Sequence, residues 1–214
     1  MKKQKVLTPE QITANLEVFY QYIDKYITGE RKEKLIKFYK SIEIDLATSP
    51  ASSKLSHHNC FAGGYLDHVN RVVEAALITD KVWDRFNQAK DYTLEELVFS
   101  AINHDLGKLG EHDKPMYIPN DSQWHIDNQG AYYKINPVLT HMRVADRSLY
   151  ALQRVGIEVS ENEFLAIKLH DGLYEEANKP YYITFSSDTA IKSNLPYILH
   201  QADLMASRVE TQTN

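Results

Sequence analysis

The sequence predicts an all-α fold, and three observations lead to that prediction. Residues typical of helix starts recur along the chain, apolar residues follow them at spacings of three and four, and glycine ends several of the segments so marked. The chain has 214 residues, which is enough for one domain with a sizeable core. We therefore expect one helical bundle over residues 1–214.

The N-terminal helices are predicted from their starts. Thr8-Pro9-Glu10-Gln11 combines an N-cap, a proline at the first helical position and a capping-box glutamine. A second helix is expected over about 31–46, followed by a loop over 47–56 that contains proline and several serines. Gly63-Gly64 precede a third helix, and His68 lies in its first turns.

Four further helices have a capping residue at their start. Their predicted courses are Thr93 to His104-Asp105, Asn136-Pro137 through His141 to about Val155, Ser160 to His170, and Asn194-Pro196 onward through Asp203. The helical signal disappears between Gly110 and Asn136, where prolines and aromatic residues predict a loop with one short β-hairpin. A second irregular stretch is expected over about 178–187.

Composition and charge indicate which binding partners and which cellular compartment to expect. The formal net charge of −5 argues against an extensive nucleic-acid surface, because phosphate contacts need clustered lysine and arginine. Cys60 is the only cysteine, so no intrachain disulfide can form, and we expect a reducing compartment, the cytoplasm. The start MKKQKVLTPE has no apolar stretch of the secretory kind, and no apolar run approaches the ~20 residues that span a membrane. The aromatic residues of the N-terminal helices are suited either to the core or to a dimer surface. The sequence therefore leaves open whether the protein forms a homo-oligomer.

Four histidines and two aspartates form a candidate metal-ligating set. The adjacent pair His104-Asp105 lies in HDLGKLG, where we expect Gly107 to let the backbone turn away so that both side chains can face one partner. The other members are His68, His141, His170 and Asp203. Imidazole and carboxylate groups bind divalent transition metals, and a helix bundle can bring them together in its core. We predict one or two ions (Mn, Fe, Zn, Co or Ni), with Asp105 able to bridge two and with His141 and His170 completing the second.

Several segments together resemble the HD-domain superfamily of metal-dependent phosphohydrolases. These segments are GGYLDHVNRV, HDLGKLG, LHDG and ILHQADLMA, and the entry HHNCFAGGYLDH is similar to the HHxxxGGLxxH entry of HD-domain exoribonucleases. The family pattern is His, then His-Asp, then Asp, on an all-α bundle, with two further histidines in its binuclear branches. The resemblance implies an HD core over 57–209 preceded by N-terminal helices over 1–56. It assigns His68, His104, Asp105 and Asp203 to the core ligand set and His141 and His170 to the extra pair.

The chain departs from the family pattern in two places. Many binuclear relatives have His-His-Gly where this chain has His170-Asp171-Gly172, so Asp171 would replace a ligand or a substrate contact. The insert over 110–136 lies outside the minimal pattern and is similar to inserts in phage-encoded HD-domain proteins. A phage origin would place the protein in the cytoplasm of the host cell.

The resemblance implies hydrolysis of a phosphoester bond in a nucleotide or a related small phosphoester by metal-activated water. Asp105, Lys108 and Arg143 are the expected catalytic residues, with Lys108 or Arg143 offsetting the developing charge. Arg147, one helical turn beyond Arg143, would extend the same basic face. The expected substrate-binding residues are Lys108, His112, Trp124, His125, Arg143 and Arg147. Trp124, Tyr132 and Tyr133 suit either stacking on a base or a small core for the insert.

Three other functions stay open at the level of sequence. Some HD-fold proteins with the same six positions are diiron oxygenases, which would show dioxygen-dependent changes in iron spectra. A 3′–5′ exonuclease is a narrower alternative within hydrolysis, although the acidic charge balance favours a small substrate. A non-catalytic ligand-binding module would bind tightly without turnover.

Overall fold

The computed structural model describes residues 4–111 and 113–213, and it is mostly helical. His112 therefore lies outside the described residues, and its expected role in substrate binding stays a prediction. The elements are α1 (Pro9–Tyr26), α2 (Gly29–Ser41), α3 (Glu43–Thr48), α4 (Gly64–Arg85), α5 (Leu94–Asn103), β1 (Tyr117–Pro119), α6 (Gln123–Gln129), β2 (Tyr133–Ile135), α7 (Val144–Arg154), α8 (Glu161–Leu169), α9 (Lys179–Tyr182) and α10 (Leu195–Thr213). Short 3-10 turns follow α5 and α8, and the first of these covers Leu106–Leu109.

Local capping chemistry places the starts of three helices where the sequence predicts them. Thr8, Thr93 and Ser160 each accept a hydrogen bond from the backbone N–H three residues on, and the glutamine or glutamate at that position bonds back to the cap. Each capping box satisfies two N–H groups that the first turn of a helix leaves unpaired. The predicted caps of α1, α5 and α8 are therefore confirmed.

The core lies where α4 packs along α10 and α5, and where α5 packs along α8. Apolar side chains of these helices are fully buried there, among them Val69, Val73, Leu97, Ile102 and Ala202. Helix α1 packs against both α4 and α5. Among the described residues, no helix combines the length and the apolar character needed to cross a bilayer.

Two predicted helices are shorter than the sequence suggests. The helix expected over 31–46 is interrupted at Ile42, whose N–H bonds to the carbonyl of Tyr39 instead of continuing the α-helical ladder. The helix expected from Asn136 begins only at Val144. The Asn136 side chain accepts from the Val138 N–H and donates to the carbonyl of Pro115, so it stabilises a turn.

The insert contains the predicted pair of short strands and an additional helix. Strands β1 and β2 pair antiparallel in the register Tyr117↔Ile135, Ile118↔Lys134 and Pro119↔Tyr133. Helix α6, which the sequence analysis did not predict, takes the place of a tight turn between them. The backbone N–H of Tyr133 bonds to the carbonyl of Ser53, so β2 is also tied to the loop before α4.

Gly107 acts by close approach and not by the backbone turn expected from the sequence. A Cβ at Gly107 would lie 2.2 Å from the carbonyl oxygen of Val144, so only glycine lets the 3-10 turn contact the first turn of α7. The residue of this segment whose backbone has a positive φ is Gly110, with φ 83°. Gly107 N–H donates to the Ser148 hydroxyl, which in turn donates to the carbonyl of His104. These bonds fix the segment that carries His104 and Asp105.

Candidate metal centre

Four helices supply the side chains of a buried His-Asp cluster, which we define as His68, His104, Asp105, His170 and Asp203. His68 lies in α4 and Asp203 in α10, while His104 and His170 are the C-terminal caps of α5 and α8. The three imidazoles are at most 2% exposed and Asp105 is 3% exposed. The cluster therefore lies in the middle of the bundle, where α4, α5, α8 and α10 pack together.

The imidazole Nε2 atoms face the two carboxylates. His68 Nε2 lies 3.2 Å from Asp203 Oδ1 and 3.5 Å from Asp105 Oδ2. His104 Nε2 lies 3.4 Å from the same Asp105 oxygen, and His170 Nε2 lies 3.6 Å from Asp105 Oδ1. Asp105 thus presents one oxygen to His68 and His104 and the other oxygen to His170.

The other ring nitrogen of each histidine is held by an acceptor. His104 Nδ1 lies 2.8 Å from the carbonyl oxygen of Ala101, and His170 Nδ1 lies 2.8 Å from that of Ile167. A carbonyl can only accept, so both Nδ1 atoms carry hydrogen, and Nε2 is the ring nitrogen left to bind a proton or a metal. His68 Nδ1 lies 3.0 Å from a carboxylate oxygen of Glu210, which orients that ring in the same way. Acceptors of this kind fix the tautomer and orientation of histidines that bind metals.

When no metal ion is bound, burial and the neighbouring charges determine which groups of the cluster are protonated. Burial opposes the charged form of His68, but the carboxylates of Glu210 and Asp203 outweigh it and raise its pKa to about 10. Burial also lowers the pKa of His170, but Asp171 and Asp105 outweigh this effect and raise the pKa to about 9. Although burial opposes it, Lys108 and His104 hold the pKa of Asp105 well below its usual range. The Lys108 Nζ lies 2.5 Å from Asp105 Oδ2.

The donor set fits a divalent cation. The Nε2 atoms of His68 and His104 are buried and have no hydrogen-bond partner among the described residues. A buried polar atom without a partner is unfavourable, and a lone pair that faces a carboxylate is more so unless a proton or a metal lies between them. Three groups of side chains each place their ligand atoms within 4.8 Å of one another. The groups are His68 with His104 and Asp203, His104 with Asp105 and His170, and His170 with Asp171 and Asp203. The cluster could therefore hold a metal ion.

A cavity of about 660 Å³ opens from the cluster. Asp105, Lys108, His170 and Asp203 are among the residues that line it. Its walls also include Ser56, Tyr117, Tyr174, His200, Arg208 and Thr211. The cavity is large enough for a small substrate to reach the cluster and Lys108 together.

The remaining predicted site residues lie elsewhere. His141 is exposed in the segment before α7 and belongs to none of the metal-ligand groups found among the described residues, because the helix expected to carry it starts three residues later. The Arg143 guanidinium is half exposed and pairs with Glu175. Arg147 is 2% exposed and donates to Glu111 Oε1 and to the carbonyl of Thr140, so it does not extend a basic face as expected.

Trp124 and His125 are exposed on α6 and are not among the residues that line the cavity of the cluster. His125 Nδ1 lies 2.6 Å from the hydroxyl of Ser122, within the same segment. Of the aromatic residues in the insert, Tyr117 is the one that reaches the cavity wall. The structure therefore does not bring the predicted stacking residue to the cluster.

Three further residues lie around the cluster. Glu210 orients His68 and also accepts from Arg71 Nε at 3.0 Å. The ring of His58 lies 4.6 Å from the ring of His68, and burial lowers the pKa of His58 to about 2 with help from Lys108 and His68. His200 Nδ1 donates to the carbonyl of His170. Glu210 follows Asp203 by seven residues, two helical turns, so the helix face that carries Asp203 is the signal that could have found it.

No protein-family model, no curated protein and no solved structure matches the chain. The ligand groups and the cavity are thus observations on this chain alone.

Proposed function

We propose that this protein is a metal-dependent phosphohydrolase of the HD-domain type, which cleaves a phosphoester bond of a nucleotide or a related phosphoester. The observation that carries the proposal is the orientation of three buried histidines. Each holds its Nδ1 hydrogen against an acceptor and turns Nε2 toward the carboxylates of the cluster, where a metal can replace a proton. Histidines that bind metals are held in this way, with the other ring nitrogen donating to a carbonyl or a carboxylate.

His68, His104, Asp105 and Asp203 would hold the ion. His170 and Asp171 offer positions for a second ion, because their ligand atoms form a group with Asp203 and because Asp105 Oδ1 faces His170. Asp171 would then act where the related family has histidine. A bound divalent transition metal would lower the pKa of water and polarise a phosphoryl oxygen.

The residues of the chain would position the phosphoryl group. Lys108 is partly buried beside Asp105 and lines the cavity. Burial opposes its charge, but Asp105 outweighs this and raises the pKa of Lys108, so the ammonium stays charged throughout the physiological range. A fixed cation at this place would offset the negative charge that develops on the phosphoryl oxygens. Proton transfer to the leaving group would come from a histidine of the wall or from water.

A substrate panel tests the proposal. Wild-type protein and Asp105→Ala would be loaded with Mn²⁺ and incubated with nucleoside mono-, di- and triphosphates, cyclic dinucleotides and short oligonucleotides. We expect turnover by the wild type and a loss of at least about 10²-fold in kcat/KM for Asp105→Ala, because a ligand of the ion that would activate water is lost. Asp188→Ala removes an exposed aspartate that does not line the cavity and belongs to none of the metal-ligand groups, and it serves as the matched control.

The alternatives predict different results. Turnover that requires iron and dioxygen would support the oxygenase, and activity with Mn²⁺ under nitrogen would exclude it. Equal activity of wild type and Asp105→Ala would refute the assignment of Asp105. Metal bound at the cluster with no ester of the panel hydrolysed would refute the phosphohydrolase itself.

A further inference from the structure

A separate cavity of about 170 Å³ lies against the 3-10 turn that follows Asp105. Its walls are the junction of α2 and α3, the segment Leu106–Glu111 and helix α7. Within the described part of the chain, no residue lines both this cavity and the cavity of the cluster. We call it the rear cavity.

The 3-10 turn presents different side chains to the two cavities. Residues three apart lie above one another in a 3-10 helix. Asp105 and Lys108 line the cavity of the cluster, whereas Leu106 and Leu109 line the rear cavity. An occupant of the rear cavity would therefore contact the same turn that presents Asp105 to the metal centre.

The size and the apolar walls of the rear cavity suit a single ring. The apolar lining includes Phe38, Ile42, Leu106, Leu109 and Tyr150. A cavity of about 150 Å³ lined by leucine, isoleucine and phenylalanine holds one benzene molecule. The rear cavity is slightly larger than that, so one six-membered ring with a small substituent would fill it.

The charged residues of the wall favour a neutral occupant. They are two acids, Asp45 and Glu111, and two bases, Arg147 and Arg154, so their formal charges cancel. Arg147 and Glu111 pair with each other. An anion would be attracted by the arginines but repelled by the acids, and a cation would meet the opposite balance. A neutral molecule with one acceptor and one donor can use both kinds of group.

Arg147 provides a donor that the protein leaves unused. Its side chain lines the rear cavity and is 2% exposed. Two of its nitrogens donate to Glu111 and to the carbonyl of Thr140, but its Nε has no hydrogen-bond partner among the described residues. A buried N–H without an acceptor is unfavourable, so an occupant that brings an acceptor is favoured over a purely apolar one.

We propose that the rear cavity binds a neutral single-ring molecule with a hydrogen-bond acceptor and a donor, and that its occupancy strengthens metal binding at the cluster. The acceptor is recognised by the arginines and the donor by Asp45. An occupant that binds the turn in its present conformation stabilises the presentation of Asp105, and so favours a metal that binds the same conformation. The site itself is independent of the proposed function, whereas the coupling rests on a metal ion held by the cluster.

Titration of the metal-free protein with benzamide, followed by protein NMR, tests the site. Benzamide is neutral and has one ring, a carbonyl acceptor and an amide donor. We expect saturable binding with a Kd below about 1 mM and shifted amide signals for Leu106–Leu109 and α7. Benzoate has the same ring with a charge, and toluene has no polar group, so each should bind at least about tenfold more weakly. No saturable binding of benzamide, or equal affinities for the three compounds, would overturn the proposal.

Two variants locate the binding. Ala151→Leu replaces a methyl group in the wall by a larger side chain and should abolish the binding of benzamide. Gln153→Leu is the matched control, because Gln153 is exposed on the same helix and does not line the rear cavity. Arg154→Gln changes an exposed wall residue without touching the core and should weaken binding about 3- to 10-fold. Unchanged affinity in both wall variants would overturn the location.

The coupling is measured as the affinity for Mn²⁺ with and without saturating benzamide, from the electron paramagnetic resonance signal of free Mn²⁺. We expect a rise of at least about fivefold in the wild type and in Gln153→Leu, and no rise in Ala151→Leu. The affinity for benzamide should rise by the same factor at saturating Mn²⁺, because coupling between two sites is reciprocal. An unchanged affinity for Mn²⁺ would overturn the coupling. If no Mn²⁺ binds, the metal-dependent function fails, and the benzamide titration still decides whether the rear cavity is a binding site.

Discussion

Metal binding at pH 7 should release protons from the cluster. The pKa values of His68 and His170 are raised to about 10 and about 9, so both rings are charged at pH 7 without a cation. A ligating imidazole must be neutral. We therefore expect about two protons to be released when Mn²⁺ binds both histidines, and about one when it binds His68 alone.

The size of the effect follows from the same pKa values. Each pKa unit corresponds to ~1.4 kcal/mol, so displacing the proton of His68 at pH 7 costs about 4 kcal/mol and that of His170 about 3 kcal/mol. The apparent affinity should therefore rise about tenfold per pH unit for each proton displaced, from pH 7 up to about 9.

Calorimetric titration with Mn²⁺ in two buffers of different ionisation enthalpy measures the number of protons. His170→Gln should reduce the number by one. His141→Ala should leave both the number and the affinity unchanged, because His141 is exposed outside the cluster. A pH-independent affinity with no proton released would refute the ligand assignment of His68, and an effect of His141→Ala would place that residue back among the ligands.

The same shifts predict opposite trends of stability with pH. The folded-state pKa values of His68 and His170 lie above the ordinary imidazole value of about 6.5. Their contribution to the stability of the metal-free protein is fully present below pH 6.5 and is lost as the pH rises through 9 and 10. Thermal unfolding of the metal-free protein should therefore show a falling Tm over this range. The additional stabilisation by saturating Mn²⁺ should grow over the same range, and parallel curves with and without metal would contradict this.

Three substitutions test the packing that holds the site, each by urea unfolding at pH 7. Gly107→Ala should lower the free energy of unfolding by at least about 2 kcal/mol, because its Cβ would lie 2.2 Å from the Val144 carbonyl oxygen. A free energy of unfolding equal to that of the wild type would show that the turn can shift. Thr93→Ala should cost about 1 kcal/mol through loss of the helix cap. Arg147→Ala should cost about 1–3 kcal/mol, because Arg147 is 2% exposed while its partner Glu111 is 27% exposed and keeps contact with water, and a loss of about 5 kcal/mol would contradict this.

Local signals in the sequence predicted the helix starts and most of the cluster. The capping boxes depend on residues three apart, so Thr8, Thr93 and Ser160 could be read directly. His104 and His170 lie at helix ends, where each Nδ1 bonds to a carbonyl three residues back. The helical fold and the convergence of the cluster were therefore predictable from short-range patterns and the spacing of ligand residues.

The errors came from contacts between distant parts of the chain. Asn136 looked like a helix cap, but its amide bonds to Pro115, 21 residues earlier, and this displaced the start of α7 and with it His141. Arg147 looked like part of a basic face, but Glu111 lies 36 residues away and pairs with it in the interior. Neither partner could be identified from the spacing of residues along one helix.

The paired strands of the insert have a consequence for how this protein could change. The insert leaves and rejoins the bundle through Tyr117 and Ile135, which are opposite each other in the β1–β2 pair. The strand pair thus holds the ends of residues 120–132 together, and α6 lies within that segment. Residues 120–132 could be exchanged for a loop of another length without moving the ligands of α4, α5, α8 and α10. This part of the surface could therefore diverge, or be engineered, separately from the chemistry at the cluster.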